Sequence, residues 1–348
     1  MNPPNDLPEE AYAAALASVP GVGPAHLRRV LAAAPPSVAW SRSDFSGDVA
    51  RIWQRHEERE ITVLLADRPE YPARLAGDPE APAVLFCQGD PAVVNRHPTV
   101  AVVGTRSPTR YGIGVAAQFG AELAAAGVSV VSGLALGIDG AAHEGACGAG
   151  AAPLAVVAGG LDDPYPRRHA RLWARVAEQG AVLSESPAGV RTEKWRFPVR
   201  NRLLAALSDV VIVVESRARG GSMHTVNAAV ARGTPVGAVP GSIRSAPSEG
   251  TNAILAEGGF PVRDVGDILM ALALTGAELP GPPRTTRPER AEYDGPDQAL
   301  LEMLSSDPVS LDELVRLTGL ELPALCGGLE RLASARVARD LGGWWERL

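Results

Sequence analysis

Several features that would identify a function directly are missing from this chain of 348 residues. Its three cysteines, Cys87, Cys147 and Cys326, lie far apart and form no CxxC or Cys/His spacing, so we predict reduced thiols and no metal site. Neither a GK[ST] phosphate loop nor a GxGxxG dinucleotide motif occurs, and no cofactor is expected. No apolar run approaches the roughly 18 residues of a membrane span, and the first residues lack a leader pattern. A cytoplasmic location without membrane contact is therefore expected.

Lysine and aromatic residues are also scarce. Aromatic residues make up 5% of the chain, and Lys194 is the single lysine beside 32 arginines. The formal net charge of the whole chain, −7, argues against a polyanionic partner. The charges are unevenly distributed, however, because residues 163–232 contain twelve Lys+Arg and six Asp+Glu, and this segment is therefore positive. Codon bias accounts for part of the arginine content but not for this local positive charge, which phosphate binding requires.

The chain is predicted to have three domains and a linker. Residues 1–65 are expected to form a small helical domain of the helix-hairpin-helix (SAM-like) type, whose Gly21–Gly23 turn either presents backbone amides to phosphate or only packs. Residues 66–273 form the core, 274–296 a Pro/Gly-rich linker, and 297–348 a winged helix. The winged helix carries nine Asp+Glu and five Arg, so we expect it to contact protein rather than duplex DNA.

Short apolar runs alternate with helical stretches through the core. The runs are TVAVVG (99–104), VSVVSG (128–133), PLAVVAGG (153–160), AVLSES (181–186), DVVIVVE (209–215) and TPVGAVPG (234–241). Such runs separated by helices predict buried parallel strands joined by right-handed crossovers. The predicted fold class is therefore α/β, an extended Rossmann-like doubly wound parallel sheet, in which ligands bind at the carboxyl ends of the strands.

Three segments that follow predicted strands have the composition of a phosphate site. Gly104, Thr105 and Arg106 follow the first strand, where the glycine admits a close backbone approach and the guanidinium can bind two phosphate oxygens. Residues 194–202 interleave cations with aromatic rings, as in grooves that follow a nucleic-acid backbone and stack its bases. The glycine-rich residues 217–225 open a helix whose first amides are able to hold another phosphate.

Two interpretations stay open for Asp139 and His143, which lie four residues apart at the start of a predicted helix. One is a catalytic acid–base pair. The other, which we favour, is an aspartate that caps the helix and a histidine that packs beside it. No Ser or Cys nucleophile has a spacing that would complete a triad with them, so we expect a binding protein and no enzyme activity.

Eight motifs occur in one order along the core: GTRSPTRYG (104–112), SGLALGIDGAAH (132–143), GGLDDPYP (159–166), SESPAG (184–189), FPVRNRLLAALS (197–208), GGSMHT (220–225), VPGS (239–242) and GTNAILAEGG (250–259). Together they resemble the signature set of the DprA (DNA-processing protein A, also called Smf) family. The resemblance covers residues 66–272. It implies a Rossmann-like protein without enzymatic activity that binds single-stranded DNA, protects it and helps load RecA recombinase onto it in natural transformation. A homodimer and a contact with single-strand-binding protein are further expectations.

The resemblance also implies a set of DNA-binding positions, which carry over to Gly104, Thr105, Arg106, Lys194, Arg196, Phe197, Arg200, Arg202, Gly221 and Ser222. One motif departs from the family. Residues 220–225 read GGSMHT, where the family begins Ser-Gly-Ser and has two aliphatic residues before Thr, so side-chain contacts at 220, 223 and 224 do not carry over.

Two alternatives remain. A nucleotide-processing Rossmann enzyme of the phosphoribohydrolase type would need an acid just after the Gly-Gly-x-x-Thr loop, where residues 226–229 read VNAA. A transcription regulator acting through the winged helix is disfavoured by the acidity of that domain.

Overall fold

A computed structural model describes residues 7–278, 296–304, 308–335, 337–340 and 342–347. The chain divides into two compact units, Met1–Pro283 and Arg284–Leu348. In the part that is described, no helix is long and apolar enough to cross a membrane. The predicted linker, 274–296, lies largely outside the described residues, and the predicted domain boundaries stay predictions.

The larger unit begins with helices α1 (Glu9–Ala17), α2 (Pro24–Ala33), α3 (Pro36–Ser41) and α4 (Val49–Glu57). α1 and α2 form the predicted hairpin, and its turn contains Gly21 at φ +85°, a backbone conformation that favours glycine. The residues expected to end this helical segment instead form strand β1 (Ile61–Leu65) at the edge of the main sheet. Leu16 of α1 and Val63 of β1 belong to one hydrophobic core, so the helices pack directly on the sheet.

Within residues 7–278, the sheet continues with β2 (Val84–Gly89), β3 (Thr99–Val103), β4 (Ser129–Ser132), β5 (Leu154–Val157), β6 (Ala181–Ser184), β7 (Val210–Val213), β8 (Val236–Ala238) and β9 (Phe260–Pro261). The order across the sheet is β1-β2-β6-β5-β4-β3-β7-β8-β9. β2 is antiparallel to both β1 and β6, whereas the strands from β6 to β9 pair in parallel. The predicted Rossmann-like parallel sheet is confirmed.

Helices cover both faces of the sheet: α5 (Arg110–Ala125), α6 (Ile138–Gly148), α7 (Ala170–Gln179), α8 (Arg196–Ala206), α9 (Met223–Ala231), α10 (Glu249–Ala256) and α11 (Val265–Leu274). β3 shows why two layers form, because alternate side chains of a strand point to opposite faces. Val100 and Val102 join the core under α5, α6 and α11, while Ala101 and Val103 join the core under α8, α9 and α10. Gly120 allows α5 and α6 to approach closely, since a Cβ there would collide with the Ala142 carbonyl.

The strand order places a crevice at the middle of the sheet. From β3 the chain proceeds through β4 and β5 to β6, and it then returns to the other side of β3 as β7. The carboxyl ends of β3 and β7 therefore flank the topological switch point, where open α/β sheets bind their ligands.

The smaller unit contains α12 (Pro296–Met303), β10 (Val309–Ser310), α13 (Leu311–Thr318), α14 (Leu322–Ser334), β11 (Ala338–Asp340) and β12 (Trp344–Arg347). Its strands pair antiparallel in the order β10-β12-β11, and Gly342 and Gly343 at positive φ make the turn of the wing. The Ser310 hydroxyl accepts a hydrogen bond from the Glu313 amide at 3.2 Å and caps α13. The predicted winged helix is confirmed.

Candidate functional site

Glu215, which follows β7, fixes the loop after β3. The Thr105 amide donates to the Glu215 carbonyl at 2.7 Å. The buried Glu215 carboxylate accepts from the Thr109 amide at 2.8 Å and from the Thr109 hydroxyl at 2.5 Å. Gly112 leaves room for this carboxylate, because a Cβ there would collide with it. Glu215 was not among the predicted site residues, although an acidic residue directly after a buried strand is a visible signal in the sequence.

Exposed Arg106 and half-buried Phe197 form a cation–aromatic contact at the mouth of the crevice. The Arg106 guanidinium lies over the Phe197 ring, 4.2 Å from its centroid. The Tyr165 ring packs beside Phe197 with 6.0 Å between ring centroids. These three side chains place a cation and two rings together, which is what binding a phosphate next to a stacked base requires.

A groove at the switch point, called the switch groove here, collects most of the predicted positions. Seven of the ten line it: Gly104, Arg106, Lys194, Phe197, Arg200, Gly221 and Ser222. Asn201, which was not predicted, joins α8 to the glycine-rich loop by donating from Nδ2 to the Gly221 carbonyl at 3.0 Å. The Ser222 hydroxyl donates to Ser216 Oγ at 2.8 Å. Both bonds hold the N-terminus of α9 against the groove, where the positive end of the helix dipole favours an anion.

Arg200 lies in the floor of the switch groove rather than on its surface. The residue is 4% exposed, and its guanidinium donates to the Val156 carbonyl. It lies directly against Gly133, where any Cβ would collide with it. Burial lowers the pKa of Arg200 to about 10, and the negative charge of Asp139 opposes that shift. Arg200 was predicted to contact DNA, but in this structure its guanidinium contacts protein groups instead.

The other three predicted positions lie outside the switch groove. Arg202 is mostly buried and forms an ion pair with Glu185. Arg196 stacks over the Trp195 ring, with the guanidinium 4.4 Å from the ring centroid. Thr105 directs its hydroxyl back onto its own loop, where it accepts from a backbone amide at 3.2 Å.

The predicted capping role of Asp139 is wrong. The N-cap of α6 is Gly137, at φ +85°, and Asp139 lies buried in the first turn of the helix. Burial raises the pKa of Asp139, whereas the charges of Arg200 and Arg106 oppose the increase. His143 is fully buried, and this burial lowers its pKa to about 4. An acid–base pair that meets substrate in the groove is therefore disfavoured. In the described part of the chain, no cluster of three His, Cys, Asp or Glu side chains is arranged to hold a metal ion.

Comparison with known proteins assigns the family. Residues 62–273, more than half of the chain, match the family model of DNA recombination-mediator protein A. The chain belongs to the DprA family. Residues 280–332 also match the DprA winged helix domain, so the resemblance inferred from the eight core motifs is confirmed.

Relatives of this DprA family member include two curated proteins. The putative DNA processing protein DprA of Mycobacterium tuberculosis is 37% identical over 269 residues, which cover 77% of this chain and 69% of that protein. DNA processing protein DprA of Bacillus subtilis is 34% identical over 228 residues, which cover 66% of this chain and 77% of the relative.

Two solved DprA structures share the fold. DprA of Streptococcus pneumoniae superposes with a TM-score of 0.63 at 28% identity, over 76% of this chain and 98% of the other. DprA of Helicobacter pylori, a structure described for its unique single-stranded DNA binding mode, has a TM-score of 0.57 at 30% identity. That match covers 63% of this chain and 98% of the other.

Proposed function

We propose that this DprA family member binds single-stranded DNA in the switch groove. The observation that carries the proposal is the convergence of Arg106, Lys194 and Phe197 with the N-terminus of α9 on one groove at the strand ends. The cations neutralise phosphates, and the Phe197 ring stacks on a base. Stacking and phosphate contacts do not depend on base identity, so the binding is expected to tolerate any sequence. The single-stranded DNA binding mode described for the Helicobacter pylori relative supports this proposal.

The proposed contacts in the switch groove are Gly104, Arg106, Lys194, Phe197, Gly221 and Ser222. Thr105 and Arg196, which the family resemblance also implied, lie outside that groove and stay predictions. We assign a different role to Arg200 and Arg202, which the family resemblance implied as contacts. Their guanidinium groups already bind the Val156 carbonyl and the Glu185 carboxylate, so both residues support the walls of the site. Their positive charges still add to the potential that attracts the strand.

We also infer that no reaction is catalysed in the groove. Asp139, the acid that lines the groove, is 6% exposed, and the buried Glu215 carboxylate is occupied by Thr109. Purified protein is expected neither to hydrolyse ATP nor to release a base from mononucleotides. A turnover that Asp139→Asn or Glu215→Gln abolishes, in a variant that stays folded, would favour the phosphoribohydrolase alternative instead.

Protection of the strand, loading of RecA recombinase, contact with single-strand-binding protein, a homodimer and a cytoplasmic location complete the proposal. Two apolar side chains on α11, Met270 and Leu274, are strongly exposed. An exposed apolar surface of this kind supports contact with a second copy of the chain.

Titration of a labelled oligonucleotide at several salt concentrations tests the site. Arg106→Ala should lower the affinity and reduce the slope of log affinity against log salt by about 0.7, the value for one phosphate on a single strand. Phe197→Ala should cost ~1–3 kcal/mol through lost stacking and leave the slope nearly unchanged. Arg263→Ala, which removes an exposed arginine paired with Asp267 outside the groove, is the matched control. If a folded Arg106→Ala variant binds like the parent protein, the site lies elsewhere.

A further inference from the structure

A second groove lies beside the switch groove, on the other side of the first turn of α8. One wall is the hairpin turn between α1 and α2, residues 17–24, and the other is formed by parts of residues 185–200. We infer that a single strand bound in the switch groove continues over α8 into this hairpin groove, where Trp195 stacks on a further base. The inference rests on the proposed function and extends its binding site.

The two grooves adjoin, because Arg200 lines both of them. Phe197 lines the switch groove, and Trp195 lines the hairpin groove. The Arg200 Nε atom is buried and has no hydrogen-bond partner among the residues that the structure describes. Because this atom is buried, Arg200 would act on a strand that crosses the junction through its positive charge and not through a hydrogen bond.

Trp195 has the properties of a stacking platform. It is 57% exposed, although large aromatic side chains are usually well covered in folded proteins. Its Nε1 donates to Glu193 Oε2 at 2.8 Å, and the Arg196 guanidinium lies 4.4 Å from the ring centroid. These contacts orient the indole before any ligand arrives, which lowers the entropic cost of stacking a base on it.

The opposite wall is open backbone. A Cβ at Gly21 or at Gly23 would meet nothing within 4 Å, so a phosphate can approach this surface closely. The ten-residue helix α2 begins at Pro24, which has no amide hydrogen, so the first free amides of its N-terminus are those that follow Pro24 at this wall of the groove. Arg28 of α2 points elsewhere and donates to the Pro79 carbonyl, so phosphate contacts on this wall would come from the backbone.

The charges along the hairpin groove suit a polyanion. Arg196 and Arg200 line it, and the carboxylate of Glu185 in the same wall is paired with Arg202. Arg200 is the other lining cation, and buried Asp139 opposes part of its charge. Arg196 has a longer contact of 3.5 Å with exposed Glu193, so the lining has two guanidinium groups and its one carboxylate is paired. A single DNA strand leaving Phe197 is the occupant that fits this charge, the exposed indole and the continuity with the switch groove.

The inference is tested with oligothymidylates of about 4 to 16 nucleotides, which is the range of site sizes seen for such grooves. Trp195→Ala should weaken the binding of long oligonucleotides by about fivefold or more and leave the shortest binding oligonucleotide unaffected. Phe197→Ala should weaken all lengths, and Trp195→Phe, which keeps a ring, should bind long strands nearly as the parent does. Quenching of tryptophan fluorescence should reach full amplitude only with long strands, and it should lose amplitude in Trp195→Phe.

A second variant addresses the hairpin wall. Gly23→Glu places a carboxylate beside the expected strand and should weaken long oligonucleotides selectively. Val230→Glu, at an exposed position of α9 outside both grooves, is its control. If Trp195→Ala and Gly23→Glu bind every length like the parent while Phe197→Ala is weakened, the second groove is unused and the inference is wrong. If no oligonucleotide binds the parent protein, the proposed function itself fails.

Discussion

Acidification should destabilise the larger unit through His143. This imidazole is fully buried on α6, and burial lowers its pKa from 6.5 to about 4. Between these two values the unfolded chain binds a proton that the folded chain does not, so the free energy of unfolding decreases as the pH decreases. For this pair of pKa values, lowering the pH from about 7 to about 4 removes roughly 3 kcal/mol of stability. That is a large share of the 5–15 kcal/mol typical of a folded domain.

Urea unfolding at a series of pH values measures this effect. His143→Leu removes the titrating group and should take away most of the decrease of stability between pH 6.5 and about 4. The change with pH is the quantity to compare, because leucine also alters packing and thus the absolute stability. His26→Leu, at an exposed position of α2, should leave the decrease intact. If His143→Leu loses as much stability on acidification as the parent protein, the argument from burial is wrong.

Three other predictions concern the site. Arg200→Met should lower the free energy of unfolding, measured in urea, by ~3–5 kcal/mol, because it removes the larger of the two positive charges that act on buried Asp139. A stable variant with a shallower salt slope would instead make Arg200 a DNA contact. The double variant Arg106→Ala/Phe197→Ala should lose ~0.5–1 kcal/mol less binding free energy than the sum of the losses in the two single variants, because Phe197 positions Arg106. Strictly additive losses would contradict this coupling. A chain ending near Thr275 should keep most of its single-strand affinity, because residues 297–348, which it lacks, are net acidic. A loss of affinity beyond about tenfold, ~1.4 kcal/mol, would assign DNA binding to the winged helix.

The central strands could be predicted because their signal is local. β7, for example, is an uninterrupted apolar run, as a strand buried on both faces must be. The edge strand β1 could not, because its place depends on long-range pairing with β2, in which Val63 faces Phe86. α3 was missed because its six residues are too few to show a helical period.

The site was predictable to the extent that parallel strands end at one edge of the sheet. That rule alone brings Gly104 and Gly221 to the same groove as Lys194. It does not tell which arginines of α8 face solvent. The inward position of Arg200 depends on the space that Gly133 leaves above it, and Gly133 follows a different strand. Spacing within the segment 194–202 contains no information about that contact.

The most direct test of the central claim is one titration of the purified parent protein with a single-stranded oligonucleotide, the matching blunt duplex and a mononucleotide, repeated over a range of salt concentrations. We predict that the single strand binds more tightly than the duplex or the mononucleotide. We also predict that its log affinity falls with log salt by roughly 0.7 for each phosphate held. Equal or tighter binding of the duplex, or an affinity for the single strand that salt does not change, would contradict single-strand binding in the switch groove.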